Sequence, residues 1–138
     1  MEITKKYLDQ LSYDVIGAAI EVNKILGPGL LESVYHKCMM KELSLRGIKF
    51  QSEKVVLVNY KGLKLNTELR CDMLVEGVLP VEFKSVEYIL PVHKAQILTY
   101  MKLLEAPKGV LINFNVTNIF GEGQTTFVND WYRDLPDE

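Results

Sequence analysis

The sequence predicts a single α/β sandwich over residues 1–138, with a mixed β-sheet that contains an antiparallel three-strand meander and is flanked by helices in the order ααβββαβ. Three observations lead to this prediction. The chain has 138 residues, of which 48% are hydrophobic, so it can bury a core without disulfides or a structural metal. Apolar residues recur at steps of three and four in the first third of the chain and again after Pro91. From about Glu53 to Ser85 the apolar period changes to two, which indicates strands.

Two helices at the start of the chain are predicted to form a helical hairpin. Gly27-Pro28-Gly29 should end the first helix. The second helix should cover residues 30–46, because Gly47 stands where a C-terminal cap is expected. The apolar stripe of the first helix consists of Leu8, Leu11, Val15, Ala18, Ala19, Val22, Ile25 and Leu26.

The middle of the chain is predicted to form three strands. The first covers the β-rich residues 55–60, and Lys61-Gly62 is a turn signal. Residues 63–75 and 78–85 should form the next two strands. Because the connections are short, the three strands should pair as an antiparallel meander.

A helix and one or two strands complete the predicted order. Pro91 suits the first turn of a third helix, which Ala106-Pro107-Lys108-Gly109 should close. Residues 110–114 then form a short buried strand, and residues 125–128 form a weaker one.

Composition excludes several classes of protein. A net charge of −2 provides no overall attraction for nucleic acid or an anionic membrane, so such a partner would need a local basic patch. Cys38 and Cys71 form no CxxC pair, which argues against structural zinc and a disulfide framework. The sequence shows no secretory pattern and no apolar run of about 18 residues. Two free thiols and these features lead us to expect a cytoplasmic protein.

Charged residues inside two predicted strands are the strongest functional signal. Strand alternation places Cys71, Met73, Val75, Leu79, Val81 and Phe83 on one face, and Arg70, Asp72, Glu82 and Lys84 on the other. A register whose paired residue numbers add up to 154 keeps these faces separate, and it requires an odd loop or a bulge. In that register Asp72 faces Glu82, Cys71 faces Phe83 and Arg70 faces Lys84.

Two interpretations of the charged face remain open. Arg70 and Lys84 could neutralise Asp72 and Glu82 as cross-strand ion pairs on a solvated face. Alternatively, the two carboxylates could share a divalent cation, for which their oxygen ligands suit Mg²⁺ or Mn²⁺ better than Zn²⁺. Lys84 would then orient a water and stabilise charge on a phosphate.

These residues resemble a known family. Asp72 followed by Glu82-Phe83-Lys84 on the next strand resembles the Asp…Glu-x-Lys motif of the PD-(D/E)XK nuclease superfamily. Gly29-Leu30-Leu31-Glu32-Ser33-Val34-Tyr35 resembles the signature of the GxxExxY family, which belongs to that superfamily. The order and spacing of further segments resemble this family over roughly residues 5–128.

The resemblance implies a restriction-endonuclease-like fold and a Mg²⁺-dependent or Mn²⁺-dependent nuclease acting on nucleic acid. The catalytic residues that it implies are Glu32, Asp72, Glu82, Lys84 and Gln96. The metal would be held by Asp72, Glu82, the main-chain carbonyl of Phe83, and Glu32. Accessory roles are expected for Tyr35, Arg70, His93 and Tyr100.

Structural alternatives exist for each of these roles. An acid in the first turn of a helix, such as Glu32, is also favoured as a capping residue. The face shared by His93, Gln96 and Tyr100 could be an ordinary solvated face. For the whole protein, the alternative to a nuclease is a catalytically idle nuclease-fold module that binds nucleic acid or a protein partner.

One segment is basic enough to contact DNA or RNA. Between His36 and Lys64, seven Lys and Arg residues stand against Glu42 and Glu53. An ordinary lysine-rich exterior is the alternative. The basic residues are Lys37, Lys41, Arg46, Lys49, Lys54, Lys61 and Lys64.

Overall fold

A five-stranded mixed β-sheet lies between two helical layers in the computed structural model, which describes residues 2–138. The predicted α/β sandwich is therefore confirmed. The elements are α1 Lys5–Leu26, α2 Glu32–Leu45, β1 Phe50–Val55, β2 Val58–Tyr60, β3 Leu63–Leu65, β4 Arg70–Val75, β5 Leu79–Lys84, α3 Pro91–Leu103, β6 Lys108–Asn113, a π-helical turn Ile119–Gly123, β7 Gln124–Val128 and α4 Asp130–Arg133.

The main sheet has the strand order β1-β4-β5-β6-β7. β5 and β6 pair in parallel, and the other neighbours pair antiparallel. The parallel pair is joined by α3, because parallel neighbours need a crossover connection. β1, β4 and β5 form the antiparallel part of the sheet, which contains the residues predicted to carry the chemistry.

The helical hairpin forms as predicted, with changed boundaries. α1 ends at Leu26, and the cap residue Gly27 has a φ of 72° and donates its N–H to the carbonyl of Asn23. This left-handed conformation suits glycine. α2 begins at Glu32, two residues later than predicted, because Leu31 is still extended with a ψ of 145°.

The first two strands of the predicted meander are placed wrongly. The first strand of the main sheet is β1, and the predicted strand at residues 55–60 contributes only its first residue, Val55, to it. Residues 63–75 are not one strand, because the segment between β3 and β4 leaves the extended pairing. The predicted turn at Lys61-Gly62 is present, and both residues have positive φ, as a two-residue hairpin turn of this type requires.

The two helical layers cover opposite faces of the sheet. α1 and α2 pack on one face through a large apolar cluster that includes Tyr35, Met39, Met73, Val81 and Phe83. The other face is covered by α3, whose Ile97 and Met101 pack against Leu111. α3 lies so close to β6 that a Cβ at Gly109 would be 2.8 Å from Met101 Sδ.

Candidate metal centre

The two strands that carry the predicted motif separate near their charged residues. The predicted register is confirmed where β4 and β5 pair, since each pair of residue numbers adds up to 154. Within residues 2–138 this pairing ends at Met73 and does not extend to Asp72 and Glu82. The pairs are Met73 with Val81, Leu74 with Pro80 and Val75 with Leu79.

Beyond the last pair, two carboxylates replace the missing main-chain hydrogen bonds. Glu82 Oε2 accepts a hydrogen bond of 2.6 Å from the main-chain N–H of Asp72. In return, Asp72 Oδ2 accepts one of 2.8 Å from the N–H of Phe83. The reciprocal bonds hold both carboxylates between the strands. The prediction was different, with the two side chains facing each other across a regular ladder of main-chain hydrogen bonds.

The predicted placement of Cys71 on the main core face is wrong. Met73 packs in the large cluster beneath α1 and α2, whereas Cys71 packs with Val56 and Tyr100 on the α3 side. The strands part between these two residues, so strict two-residue alternation no longer fixes which face each side chain occupies.

Both carboxyl groups are destabilised in their charged form. Burial raises the pKa of Glu82, and the nearby charge of Asp72 raises it further. Burial also raises the pKa of Asp72, although the N–H of Phe83 and the charges of His36 and Lys84 oppose this rise. No ion pair shorter than 4 Å within residues 2–138 includes either carboxylate. The predicted alternative of cross-strand ion pairs is therefore wrong.

A chain of hydrogen bonds connects the lysine of the motif to α3. Lys84 Nζ donates to Gln96 Oε1 at 3.2 Å, and Gln96 Nε2 donates to the Tyr100 hydroxyl at 3.1 Å. Tyr100 is buried, and burial followed by the charge of Glu82 raises its pKa. The structure thus brings Gln96 and Tyr100 together with Lys84.

Glu32 lies at the first turn of α2 and lines the same cavity as Asp72. Its side chain makes no hydrogen bond to the helix N-terminus in the described part of the chain. Burial raises the pKa of Glu32, the charge of Lys84 opposes the rise, and Asp72 adds to it. The capping alternative therefore has no hydrogen bond to support it.

Three predicted accessory residues have structural contacts elsewhere. The Tyr35 hydroxyl donates to the Gly27 carbonyl at 2.6 Å and accepts from Leu30 N at 3.1 Å. His93 Nδ1 accepts from the N–H of Leu90 at the start of α3. Arg70 is exposed and pairs with Val55 at the end of β1. None of these contacts joins the carboxylate pair.

Two residues next to Asp72 were not among the predicted site residues. Ligand atoms of His36, Glu53 and Asp72 lie within 4.8 Å of one another. His36 Nε2 lies 2.8 Å from Ser52 Oγ, and its ring packs edge-on against Phe83. The spacing of His36 four residues after Glu32 was a usable signal, whereas Glu53 could be found only by placing β1 correctly.

The predicted basic residues are spread over several elements of the fold. Lys37 lines an open cavity of about 430 Å³ together with Glu32, His36, Glu53 and Asp72. Arg46 is paired with Glu42 at 2.8 Å. Lys61 and Lys64 are exposed on the separate β2–β3 hairpin.

A family model described as the PD-(D/E)XK nuclease superfamily matches residues 9–124. The chain belongs to the PD-(D/E)XK nuclease superfamily. The matched range contains the carboxylate pair, Glu32, Lys84 and Gln96. The mixed sheet and its flanking helices accordingly represent the restriction-endonuclease-like fold.

Two further comparisons give no match for this superfamily member, one with curated proteins and one with solved structures. In the part of the chain that the structure describes, no helix is long and apolar enough to span a membrane.

Proposed function

We propose that this PD-(D/E)XK superfamily member is a divalent-metal-dependent nuclease that hydrolyses phosphodiester bonds in DNA or RNA. The reciprocal hydrogen bonds of Asp72 and Glu82 are the observation that carries the proposal. They keep a buried and a half-buried acidic group side by side, and within residues 2–138 neither is paired with a positively charged side chain. A pair of this kind requires a compensating cation or a bound proton.

The residues present fit a hard divalent cation. Asp72 and Glu82 would hold it with the main-chain carbonyl of Phe83, and Glu32 would complete the ligand set. Carboxylate and carbonyl oxygens are the ligands that Mg²⁺ and Mn²⁺ prefer. When bound, the ion would lower the pKa of a coordinated water and offset negative charge on the phosphate. His36, whose imidazole lies beside Asp72, would add a nitrogen ligand, and this ligand favours Mn²⁺ over Mg²⁺ as the more tightly bound ion.

The side chains around the pair supply positioning and charge. Lys84 Nζ would donate a hydrogen bond to the attacking water or to a phosphate oxygen, and its bond to Gln96 fixes its direction. Gln96 is itself oriented by Tyr100. We therefore assign Lys84 a catalytic role, Gln96 a role at the same site, and Tyr100 a positioning role.

Cleavage assays with wild type and Lys84→Ala test this proposal. Labelled single-stranded DNA, duplex DNA and RNA would be incubated with Mg²⁺, Mn²⁺ or EDTA. We expect metal-dependent cleavage of at least one substrate, and about 100-fold slower cleavage by Lys84→Ala, the order of effect of removing one positioned charge stabiliser. Lys94→Ala, which changes an exposed lysine of α3, is the control and should cleave like wild type.

The alternative of an idle binding module predicts a different result. Salt-dependent binding of a substrate without turnover in either metal, unaffected by Lys84→Ala, would reject the nuclease and favour the module. Equal cleavage by wild type and Lys84→Ala would reject the assigned role of Lys84.

A further inference from the structure

The β2–β3 hairpin extends the ribbon formed by β1 and β4 beyond the main sheet. Val56 N donates to the Leu69 carbonyl at 3.0 Å, which continues the β1–β4 pairing by one step. β2 and β3 then pair only with each other within residues 2–138. This ribbon leaves the sheet at the end where Asp72 lies, because Asp72 is near the start of β4.

One face of the hairpin exposes apolar side chains at its tip. Tyr60 and Leu63 are cross-strand partners and are 62% and 58% exposed. Val58 and Leu65 continue the same face toward the base of the hairpin. A two-stranded hairpin has no core of its own, so this exposed face provides it with little stability.

The hairpin and the end of β1 that leads into it are also basic. Residues 54–65 contain Lys54, Lys61 and Lys64 and no acidic residue, although the whole chain has a net charge of −2. Lys61 Nζ lies 5.4 Å from the centre of the Tyr60 ring. An exposed aromatic ring beside a lysine is the combination that binds single-stranded nucleic acid, through base stacking and phosphate contacts. Lys64 pairs with Asn59 and lies on the opposite face of the hairpin.

We propose that the β2–β3 hairpin binds a single-stranded segment of nucleic acid, with a base stacked on Tyr60 and the backbone near Lys61. This inference rests on the proposed function, because it adds the substrate class of the same site. A single strand is favoured over a duplex because the apolar Tyr60–Leu63 face matches the flat faces of bases, which a duplex hides between its base pairs.

The dimensions of the ribbon define which part of the substrate is contacted. Lys54 pairs with Cys71, the neighbour of Asp72, and Tyr60 follows six residues later. At about 3.3 Å per residue, the hairpin tip reaches at most about 20 Å from the carboxylate pair. That distance corresponds to roughly six nucleotides of a stacked strand.

Binding measurements without metal test the hairpin separately from catalysis. Fluorescence anisotropy in EDTA would follow a labelled single-stranded 20-mer and the matched duplex. We expect Tyr60→Ala to weaken single-strand binding about tenfold, the effect of losing one stacked base. Tyr13→Ala is the matched control, since Tyr13 lies on α1 and is 68% exposed, and it should bind like wild type.

The salt dependence supplies a second readout. Lys61→Ala should reduce the slope of log affinity against log salt by about 0.7, the value for one phosphate contact on a single strand. Lys24→Ala, at the exposed end of α1, should leave the slope unchanged. Circular dichroism would establish that each variant keeps its fold.

The outcomes separate this inference from the proposed function. Tyr60→Ala binding as tightly as wild type, or wild type preferring the duplex, would overturn the hairpin inference even if metal-dependent cleavage is observed. Conversely, single-strand binding that depends on Tyr60, in a protein that cleaves nothing in Mg²⁺ or Mn²⁺, would support the hairpin and reject the nuclease.

Discussion

Asp72 and Glu82 use their side chains where a regular sheet uses main-chain carbonyls. Each carboxylate accepts a hydrogen bond from a main-chain N–H of the opposite strand. This bond fixes the position of the side chain more tightly than its rotamer preference alone. As a consequence, two acidic groups are held close together where burial penalises their charged forms. At the scale of single residues, a bound cation would relieve the repulsion between these two carboxylates.

The register that brings these residues together was predictable from the sequence. Apolar alternation in β4 and β5 fixes the pairing, because a slip by one residue would expose Met73, Val81 and Phe83. The exchange of side-chain for main-chain hydrogen bonds was not predictable. It depends on where the two strands separate, which sequence alternation does not encode.

The charge conflict predicts an unusual pH dependence of stability in EDTA. Burial and the charge of Asp72 raise the pKa of Glu82 from 4.5 to about 8 in the folded protein. Between these values the native state binds more protons than the unfolded chain, so the free energy of unfolding should fall as the pH rises from about 5 to 8. Glu82→Gln should reduce this fall and stabilise the protein at pH 8 by about 1–2 kcal/mol, while the raised pKa of Asp72 leaves the remainder.

Urea unfolding at a series of pH values measures this effect. Glu87→Gln, which changes an exposed acid, is the control and should unfold like wild type. If wild type and Glu82→Gln lose stability in parallel between pH 5 and 8, Glu82 is not the origin of the dependence.

At the scale of elements, one hydroxyl fixes the loop that leads into α2. Tyr35 stacks on Phe114 with ring centres 4.5 Å apart, and its hydroxyl bonds to both Gly27 and Leu30. The loop between α1 and α2 sets where α2 begins and therefore where Glu32 lies. The tyrosine of the GxxExxY signature thus supports the position of its glutamate, while the assignment to that family within the superfamily stays a prediction.

Removing the Tyr35 hydroxyl should loosen this loop. Tyr35→Phe keeps the stacked ring and breaks both hydrogen bonds, so we expect a loss of about 1–2 kcal/mol in the free energy of unfolding. Urea denaturation measures it, with Tyr13→Phe on an exposed tyrosine as the control. Identical urea midpoints for Tyr35→Phe and wild type would show that the loop does not depend on the hydroxyl.

Element boundaries account for the residues that sequence reasoning missed. β1 lies at the edge of the sheet and has only partly buried and exposed residues, so its alternation is weak. Glu53 interrupts it with a φ of 55°, a conformation that is rare for a residue with a side chain. Placing the strand five residues too late hid the proximity of Glu53 to Asp72, and with it the cluster that includes His36.

At the scale of the whole molecule, a buried lysine links elements from both ends of the chain. Lys108 Nζ, on β6, lies 2.7 Å from Asp9 Oδ1 on α1, and the Tyr132 hydroxyl of α4 donates to the same oxygen. Although burial raises the pKa of Asp9, the hydrogen bonds from Lys108 and Tyr132 lower it overall. This contact joins α1, the sheet and the C-terminal helix.

Breaking this link should destabilise the fold without affecting the carboxylate pair. Asp9→Ala leaves the buried Lys108 without its partner, so we expect a loss of about 2 kcal/mol in the free energy of unfolding. Because the pKa of Asp9 is lowered in the folded state, the difference from wild type should shrink as the pH falls below the ordinary range of aspartate. Urea unfolding at pH 7 and pH 3 measures both effects, and an unchanged midpoint at pH 7 would contradict the assignment.

The whole fold also explains how distant residues reach one site. Glu32 arrives on α2, Asp72 and Glu82 on adjacent strands, and Gln96 on α3 from the opposite face. Helix periodicity alone leaves open how the helices pack, so this set came from the family resemblance, and its shared role stays a prediction. The role of Asp72 and Glu82 as a cation site is the central claim.

Isothermal titration of Mg²⁺ and Mn²⁺ into the metal-free protein tests that claim most directly. Wild type, Asp72→Asn and Glu82→Gln would be compared, with Glu87→Gln as the control. The account predicts saturable binding to wild type and Glu87→Gln, with Mn²⁺ the tighter ion, and no binding to Asp72→Asn or Glu82→Gln. Equal heats in all four proteins would contradict it.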